Sequence, residues 1–190
     1  MPDRAGGPLA LDDRYPPAVA GLWTHYRLAA RFVDQQVAQV LASLRASGMW
    51  DRTVVIVTSD HGFEFDDSGL GYIGHANAFT PYQLRTPLIV HWPGKAPQEF
   101  THRTSHHDVA PTLLGELFGC STPPSDYSVG HNLLEGRDWS WLIAGSYNAY
   151  AIVTPETVML RFYQDNLPRA RSEGCVITWR RFTFLSSRVR

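Results

Sequence analysis

Thr53-Val54-Val55-Ile56-Val57-Thr58-Ser59-Asp60-His61-Gly62 is the stretch on which the fold turns. Its first six residues are β-branched without polar alternation, so a strand built from them is apolar on both faces. That pattern is expected in the middle of a parallel sheet covered by helices on each side. The strand delivers Asp60 and His61 at its C-terminal end, where open α/β sheets place their ligand sites. The expectation is an α/β fold with a mainly parallel central sheet.

Upstream, Tyr15-Pro16-Pro17 opens a helix, since proline is suited to a first turn where its missing N–H has no partner. Apolar residues then recur at Val19, Leu22, Trp23, Tyr26, Ala30, Val33, Val37, Val40, Leu41 and Leu44, the three-and-four spacing of one helical stripe. Gly48 fits a left-handed residue just past the end. The spacing predicts a helix from about Ala18 to Ser47, ~45 Å long at 1.5 Å per residue.

Downstream, a glycine-punctuated loop carries Gly62, Gly69, Gly71 and Gly74. A second buried strand is expected at Pro87-Leu88-Ile89-Val90-His91, stopped by Trp92-Pro93-Gly94. A second helix runs from Asp108 through Leu113, Leu114 and Leu117 to Gly119. Asp108 is preferred as its cap because Pro111 then falls in the first turn, although Ser105 to Asp108 also has the capping-box spacing. Tyr147 to Val153 and Thr157 to Tyr163 read as short strands around a turn. Val176 to Trp179 and Phe182 to Leu185 are further, weaker strand candidates.

The chain has 190 residues, 44% hydrophobic and 18% charged, with a formal net charge of -1. Such a composition is globular and too apolar for disorder. Near-neutral charge argues against nucleic acid as a partner. Cys120 and Cys175 cannot make a disulfide framework. Met1 to Leu11 lack the basic and apolar regions of a secretory signal, and no stretch approaches a membrane span. Taken literally, this describes a small soluble cytoplasmic protein, and the motifs oppose that reading. From Arg161 onward the character changes, with Arg169, Arg171, Arg180, Arg181, Arg188 and Arg190 balanced only by Asp165 and Glu173.

Seven of the eight histidines lie between His61 and His131. Asp60 and His61 offer a carboxylate oxygen and an imidazole nitrogen, suitable ligands for a divalent ion. The alternative is a carboxylate capping its own turn beside a loop histidine. His75 follows Gly74 and can approach an anion closely as a charge-assisted donor, or be an ordinary loop residue. His106-His107-Asp108 looks like a metal cluster, but consecutive side chains at a helix entry diverge and Asp108 has a capping role. His91 ends a strand and could support a site indirectly. Glu64, Asp66 and Asp67 read as a solvated loop, because they lack calcium-loop spacing. No G-x-S-x-G elbow and no P-loop occur.

Taken in order, the helix ending in Gly48-Met49-Trp50-Asp51-Arg52-Thr53, the strand to Asp60-His61-Gly62, Gly74-His75, Thr86-Pro87-Leu88-Ile89-Val90 with Trp92-Pro93-Gly94, and Asp108-Val109-Ala110-Pro111-Thr112-Leu113-Leu114 resemble the C-terminal half of a sulfatase-type domain in the alkaline phosphatase superfamily. Pro123-Pro124-Ser125-Asp126-Tyr127-Ser128 and Asn148-Ala149-Tyr150-Ala151-Ile152-Val153-Thr154 narrow the likeness to the PbgA/YejM-type inner-membrane sulfatase-like proteins of Gram-negative bacteria.

That resemblance implies an α/β/α sandwich, with residues 1–163 as an incomplete C-terminal portion of the domain and 164–190 as an arginine-rich segment outside the family pattern. It implies Asp60 and His61 as ligands of a divalent metal ion (Zn, Mn, Mg or Ca) and His75 as a contact to the oxygens of a sulfuryl or phosphoryl group. The implied activity is hydrolysis of a sulfate or phosphate ester, lipid-linked esters included, at the periplasmic face of the inner membrane. Membrane attachment and the nucleophile would come from an N-terminal region outside this chain. Thr24 lies on the helix and Thr53 starts the strand that ends at the ligands, so neither is placed to attack. An alternative implied role is a non-catalytic regulator that binds lipid and controls lipopolysaccharide synthesis and outer-membrane lipid balance.

Overall fold

The computed structural model describes residues 15–76, 78–147, 149–162 and 182–184. Helix α1 spans Pro17–Ala46 with proline in its first turn, and Gly48 takes the left-handed conformation (φ 67°) just beyond it. The expected boundaries thus hold within a residue. The apolar stripe is buried only at its start. Val19 and Ala20 are buried, and the first turns pack through Trp23 and Tyr26 onto Phe65, in edge-to-face contacts of 4.9 and 5.2 Å. Beyond them the stripe opens to solvent, with Val33 57% and Val40 56% exposed.

A four-stranded sheet has the order β1 (Val55–Thr58), β4 (Leu88–His91), β9 (Phe182–Phe184), β5 (Glu99–Phe100). Here the expectation of a mainly parallel sheet is corrected. Strand β1 runs antiparallel to β4, pairing Val55 with His91 and Thr58 with Leu88. Only β4 and β9 are parallel, and β5 is antiparallel to β9. An unbroken apolar run reports two covered faces and carries no information on direction. Parallel neighbours need a crossover of a dozen or more residues, usually through a helix. Between β1 and β4 the chain makes only a small ribbon, β2 (Glu64–Phe65) with β3 (Ile73–Gly74), and the one-turn helix α2 (Pro81–Leu84). The connection is long enough for a crossover but holds no helix that could cover a face of the sheet, and the chain re-enters antiparallel. Gly69, Gly71 and Gly74 match the G-x-G-x-x-G spacing of dinucleotide sites, yet they sit in this ribbon and open no helix, so the spacing makes no phosphate cradle.

The core of this sheet is Val90 and Leu133, with Val54, Ile56, Leu88, Trp92, Phe100 and Leu134 around them. Helix α3 (Val109–Phe118) follows a short 3₁₀ turn, His106–Asp108. Asp108 stands at the N-cap position of α3 but its side chain makes no cap bond there; Ser105 caps the preceding turn. Its hydroxyl accepts from the His107 N–H, while Asp108 reaches back to the Ser105 N–H at 2.6 Å, the reciprocal pair of a capping box. Pro111 sits in the first turn, as expected. The Lys95 ammonium donates to Glu116 on α3 at 2.8 Å and, helped by Asn132, holds that carboxyl below its usual range.

A second, antiparallel sheet is formed by β6 (Leu142–Gly145), β7 (Ala149–Val153) and β8 (Val158–Phe162). Ala149, Ala151 and Val153 of β7 are buried in alternation, and Phe79, Leu84 and Leu142 pack against this core. The β7–β8 hairpin was legible in the sequence; β6 was not, because Trp141-Leu142-Ile143-Ala144-Gly145 has no β-branched run. The strand expected at Val176 to Trp179 and most of the arginine-rich segment lie outside the described residues.

Burial predicts sharply different costs for two valines. Val90→Ala should lose about 2–3 kcal/mol in urea denaturation, through transfer and cavity terms. Val40→Ala on the open face of α1 should stay within about 0.5 kcal/mol.

Candidate functional site

Asp60 and His61 occupy the C-terminal end of β1, at the mouth of a cleft of about 370 Å³. Glycine at position 62 is a steric requirement: a Cβ there would stand 2.1 Å from the Tyr82 carbonyl oxygen, and the Gly62 N–H donates to the Gln83 oxygen at 2.8 Å. The chain after His61 is thereby pressed onto α2.

The local hydrogen bonds leave one donor atom on each residue facing the other. Asp60 Oδ1 accepts from the His61 backbone N–H at 3.0 Å. His61 Nδ1 lies 2.8 Å from the Gly62 carbonyl oxygen, a contact that places a proton on Nδ1, so that in the neutral ring the lone pair is on Nε2. Nε2 then stands 3.6 Å from Asp60 Oδ2. Ligand atoms ~2.1 Å from a tetrahedral ion are separated by roughly 3.4 Å, close to this gap, which is also that of a direct His–Asp contact. A histidine whose second nitrogen is held by a backbone carbonyl is also the usual form of a ligating imidazole. The pair fits a divalent ion as two of its ligands. Among the described residues no third His, Cys, Asp or Glu joins them. Of the two readings that the sequence left open, the geometry serves both: Asp60 turns back on the next N–H with one oxygen and presents the other outward.

His75 arrives from β3. Its ring stacks on His61, with centroids 4.1 Å apart and planes 16° from parallel. The following residue, Ala76, is in the left-handed region (φ 60°), and the Ser146 hydroxyl holds its carbonyl at 2.6 Å. All three expected residues therefore share the cleft.

The acidic trio is a correction. Glu64 is fully buried, accepting from the Ser68 N–H and hydroxyl, from Thr80 Oγ1 at 2.5 Å and from Gln83 Nε2 at 2.9 Å. Asp66 accepts from the Gly71 N–H and Asp67 from the Phe65 N–H. These carboxylates organise the ribbon and are no solvated loop; Glu64 sits between Phe63 and Phe65, the one sequence sign of burial. His91 is stacked on Trp50 at 3.7 Å and turns away from the cleft.

What sequence reading missed is the opposite wall. The side chains of His106-His107-Asp108 do diverge, as expected, but two of them come to the cleft. Asp108 points inward, while His106 and His107 line the cleft with Arg103. His106 Nε2 bonds the Ser59 carbonyl at 2.8 Å, across 47 positions of sequence, and so ties the residue before Asp60. Only this long-range contact distinguishes it, and no local pattern could have announced it.

A family model described as sulfatase matches residues 7–119, and the chain belongs to the sulfatase family. Within it, the chain is similar to the inner membrane protein YejM of Salmonella typhimurium, 36% identical over 138 residues that cover 71% of this chain and 22% of that protein. It is also similar to the steryl-sulfatase of Rattus norvegicus (32% over 143 residues, 68% of this chain and 24% of the relative) and to the choline-sulfatase of Rhizobium meliloti (33% over 90 residues, 47% and 17%). The chain thus spans about a fifth of the length of the curated relatives it matches. No helix among the described residues is long and apolar enough to cross a membrane.

The tie from His106 predicts a graded response. His106→Ala should weaken Mn²⁺ or Zn²⁺ binding at Asp60 and His61 by roughly tenfold in calorimetry, the scale of lost outer-sphere support. His106→Gln, which keeps a donor near Nε2, should restore most of it. Glu64→Gln puts an amide N–H among donors and should cost about 2–4 kcal/mol of stability.

Proposed function

We propose that this chain forms the metal-ligating and anion-contacting part of a sulfatase-type site that hydrolyses sulfuric or phosphoric esters. In this reading residues 1–163 are a C-terminal portion of an alkaline-phosphatase-like α/β/α sandwich. Asp60 and His61 are the metal ligands, and His75 contacts the oxygens of the transferred group. The single observation that carries the reading is the 3.6 Å gap between His61 Nε2 and Asp60 Oδ2, with His75 stacked beside it in one cleft.

A bound divalent ion would lower the pKa of a hydroxyl nucleophile and neutralise charge on the anion. The chain's own residues supply the rest. The Gly62 carbonyl keeps the proton on His61 Nδ1, so the ring offers its lone pair to the cleft. His75, oriented by its stack on His61, is positioned to donate to an equatorial oxygen of the ester. The nucleophile belongs to neither Thr24 nor Thr53, whose hydroxyls donate to the Ala20 and Met49 carbonyls within their own helix and turn, at 2.8 Å each. It is assigned to sequence other than these residues. Likeness to the inner membrane protein YejM supports a place at the inner membrane, and in this reading the site faces the periplasm.

Likeness to YejM, whose name gives a membrane location and no activity, supports a second reading, a sulfatase-like protein that binds lipid or a regulatory partner without turnover. Calorimetry and a turnover assay separate the two. The purified chain should bind one Mn²⁺ or Zn²⁺, and Asp60→Ala or His61→Ala should abolish binding. Aryl phosphate and aryl sulfate should be hydrolysed only at background rate by the isolated chain. A longer polypeptide carrying the whole domain should turn them over if the hydrolase reading holds, and should bind lipid A without turnover if the second does. No ion bound by the chain would defeat the metal assignment.

A further inference from the structure

The imidazole of His75 is held without hydrogen bonds. The residue is exposed, and among the described residues no hydrogen bond reaches either ring nitrogen. Its strand, Ile73–Gly74, is two residues long, and Ile73 is itself 44% exposed. The bond from Ser146 to the Ala76 carbonyl fixes backbone, and a backbone bond does not set side-chain torsions. Ring packing is what orients the imidazole. His61 stacks on it at 4.1 Å, and the Phe63 ring stands 6.0 Å away at 51°. That separation falls within the roughly 4.5–7 Å over which aromatic rings attract in tilted geometries.

Phe63 is in turn held from behind. Its ring lies 4.7 Å from that of buried Phe65 and 5.5 Å from Tyr26 of α1. Tyr26 also meets Phe65 at 5.2 Å and stacks on Trp23 at 5.9 Å. The rings therefore touch in series from α1 to the cleft, through Tyr26 and Phe63 to His75 and His61. The backbone beneath Phe63 is stationary, because its neighbours Gly62 and Glu64 are both bonded to Gln83 of α2. Neither Phe63 nor any residue of α1 lies on the cleft lining, and the lining residue whose ring Phe63 meets is His75.

We propose that Phe63 is a positioning residue for His75, supported from behind by Tyr26, so that a helix outside the cleft sets the orientation of the anion-contacting imidazole. This deepens the hydrolase reading above and rests on it for the role of His75. A ring already held by packing contacts an anion without first being ordered, whereas a free one gives up its rotamers on binding.

The test is calorimetric titration of phenylphosphonate into the Zn²⁺-loaded chain. His75→Ala should weaken the probe. Phe63→Ala should weaken it by about three- to tenfold, the scale of ordering one freed side chain, and Phe63→Tyr, which keeps the ring, should restore it. Tyr26→Ala, made on a half-exposed residue of α1, should give a smaller loss in the same direction, and Tyr26→Phe none. Zn²⁺ affinity should stay within about twofold in all four variants at Phe63 and Tyr26, and thermal unfolding shows that each is folded. In the His75→Ala background, Phe63→Ala should cost nothing further, since its effect passes through the missing ring. An unchanged affinity in Phe63→Ala and Tyr26→Ala, or an equal loss with and without His75, overturns the positioning role and leaves His75 as the anion contact. If phenylphosphonate does not bind, or binds His75→Ala as tightly as the parent chain, the anion-contact reading fails and takes this inference with it.

Discussion

The candidate site depends on one buried carboxylate. Glu64 is wholly removed from solvent, and an ionised carboxylate so placed costs several kcal/mol unless its lone pairs are used. They are used here by neutral donors only: the Ser68 N–H and hydroxyl, Thr80 Oγ1 and Gln83 Nε2. Those donors come from the ribbon turn and from the start and middle of α2. Glu64 thus locks the segment after His61 to the segment that leads into β4. The same helix receives Gly62, whose N–H meets the Gln83 oxygen. His61 is fixed from behind by this double attachment, and His75, from the partner strand of the ribbon, inherits its place from the same lock.

A second buried carboxylate performs the same service for the other wall. Asp108 is 3% exposed and accepts from the Ser105 and His131 N–H groups, at 2.6 and 2.7 Å. The first bond closes the capping box that starts the turn before α3; the second brings in the strand-like segment leading to Leu133. Thr112 extends the arrangement, donating to the Asp108 carbonyl and accepting from the Leu133 N–H. His106 and His107 lie on the turn that Asp108 closes. The hydrogen bond from His106 to Ser59 then joins the two locked halves directly behind Asp60.

How much of this was legible follows from the range of each interaction. Helix α1 was readable to within a residue because periodicity and a glycine stop are local. Strands β1 and β4 and the β7–β8 hairpin were readable from apolar runs and a turn. Direction was not, since it depends on the connection, and Val54 to Val57 would look the same in either orientation. The strand β6 carried no β-branched run. At the site, Asp60, His61 and His75 stood out because ligand types sat at strand and ribbon ends. Glu64 and Asp108 were harder to place because a carboxylate's burial is decided by donors 16 to 23 positions away. Arg103 carried no local signal, and His107 was noticed only as part of His106-His107-Asp108; their shared place on the cleft lining is a long-range outcome.

The choice of neutral donors for the buried acids has an electrostatic consequence. Had Glu64 or Asp108 been matched by arginine, the usual partner of a buried carboxylate, those cations would have been consumed inside the fold. Thr80, Gln83, Ser68 and backbone N–H groups satisfy the acids without consuming any positive charge. Arg103 is likewise anchored through its backbone N–H and a carbonyl contact, which fix its position without neutralising its guanidinium. Asp60 is the one carboxylate among the described lining residues, and the Arg103 guanidinium lies on the same lining. Low-dielectric walls strengthen the field of such charges relative to open water. The internal hydrogen bonding of the fold and the charge of its cleft are therefore one arrangement: the buried acids are satisfied by uncharged donors, and the Arg103 guanidinium is held by a carbonyl and not by an acid.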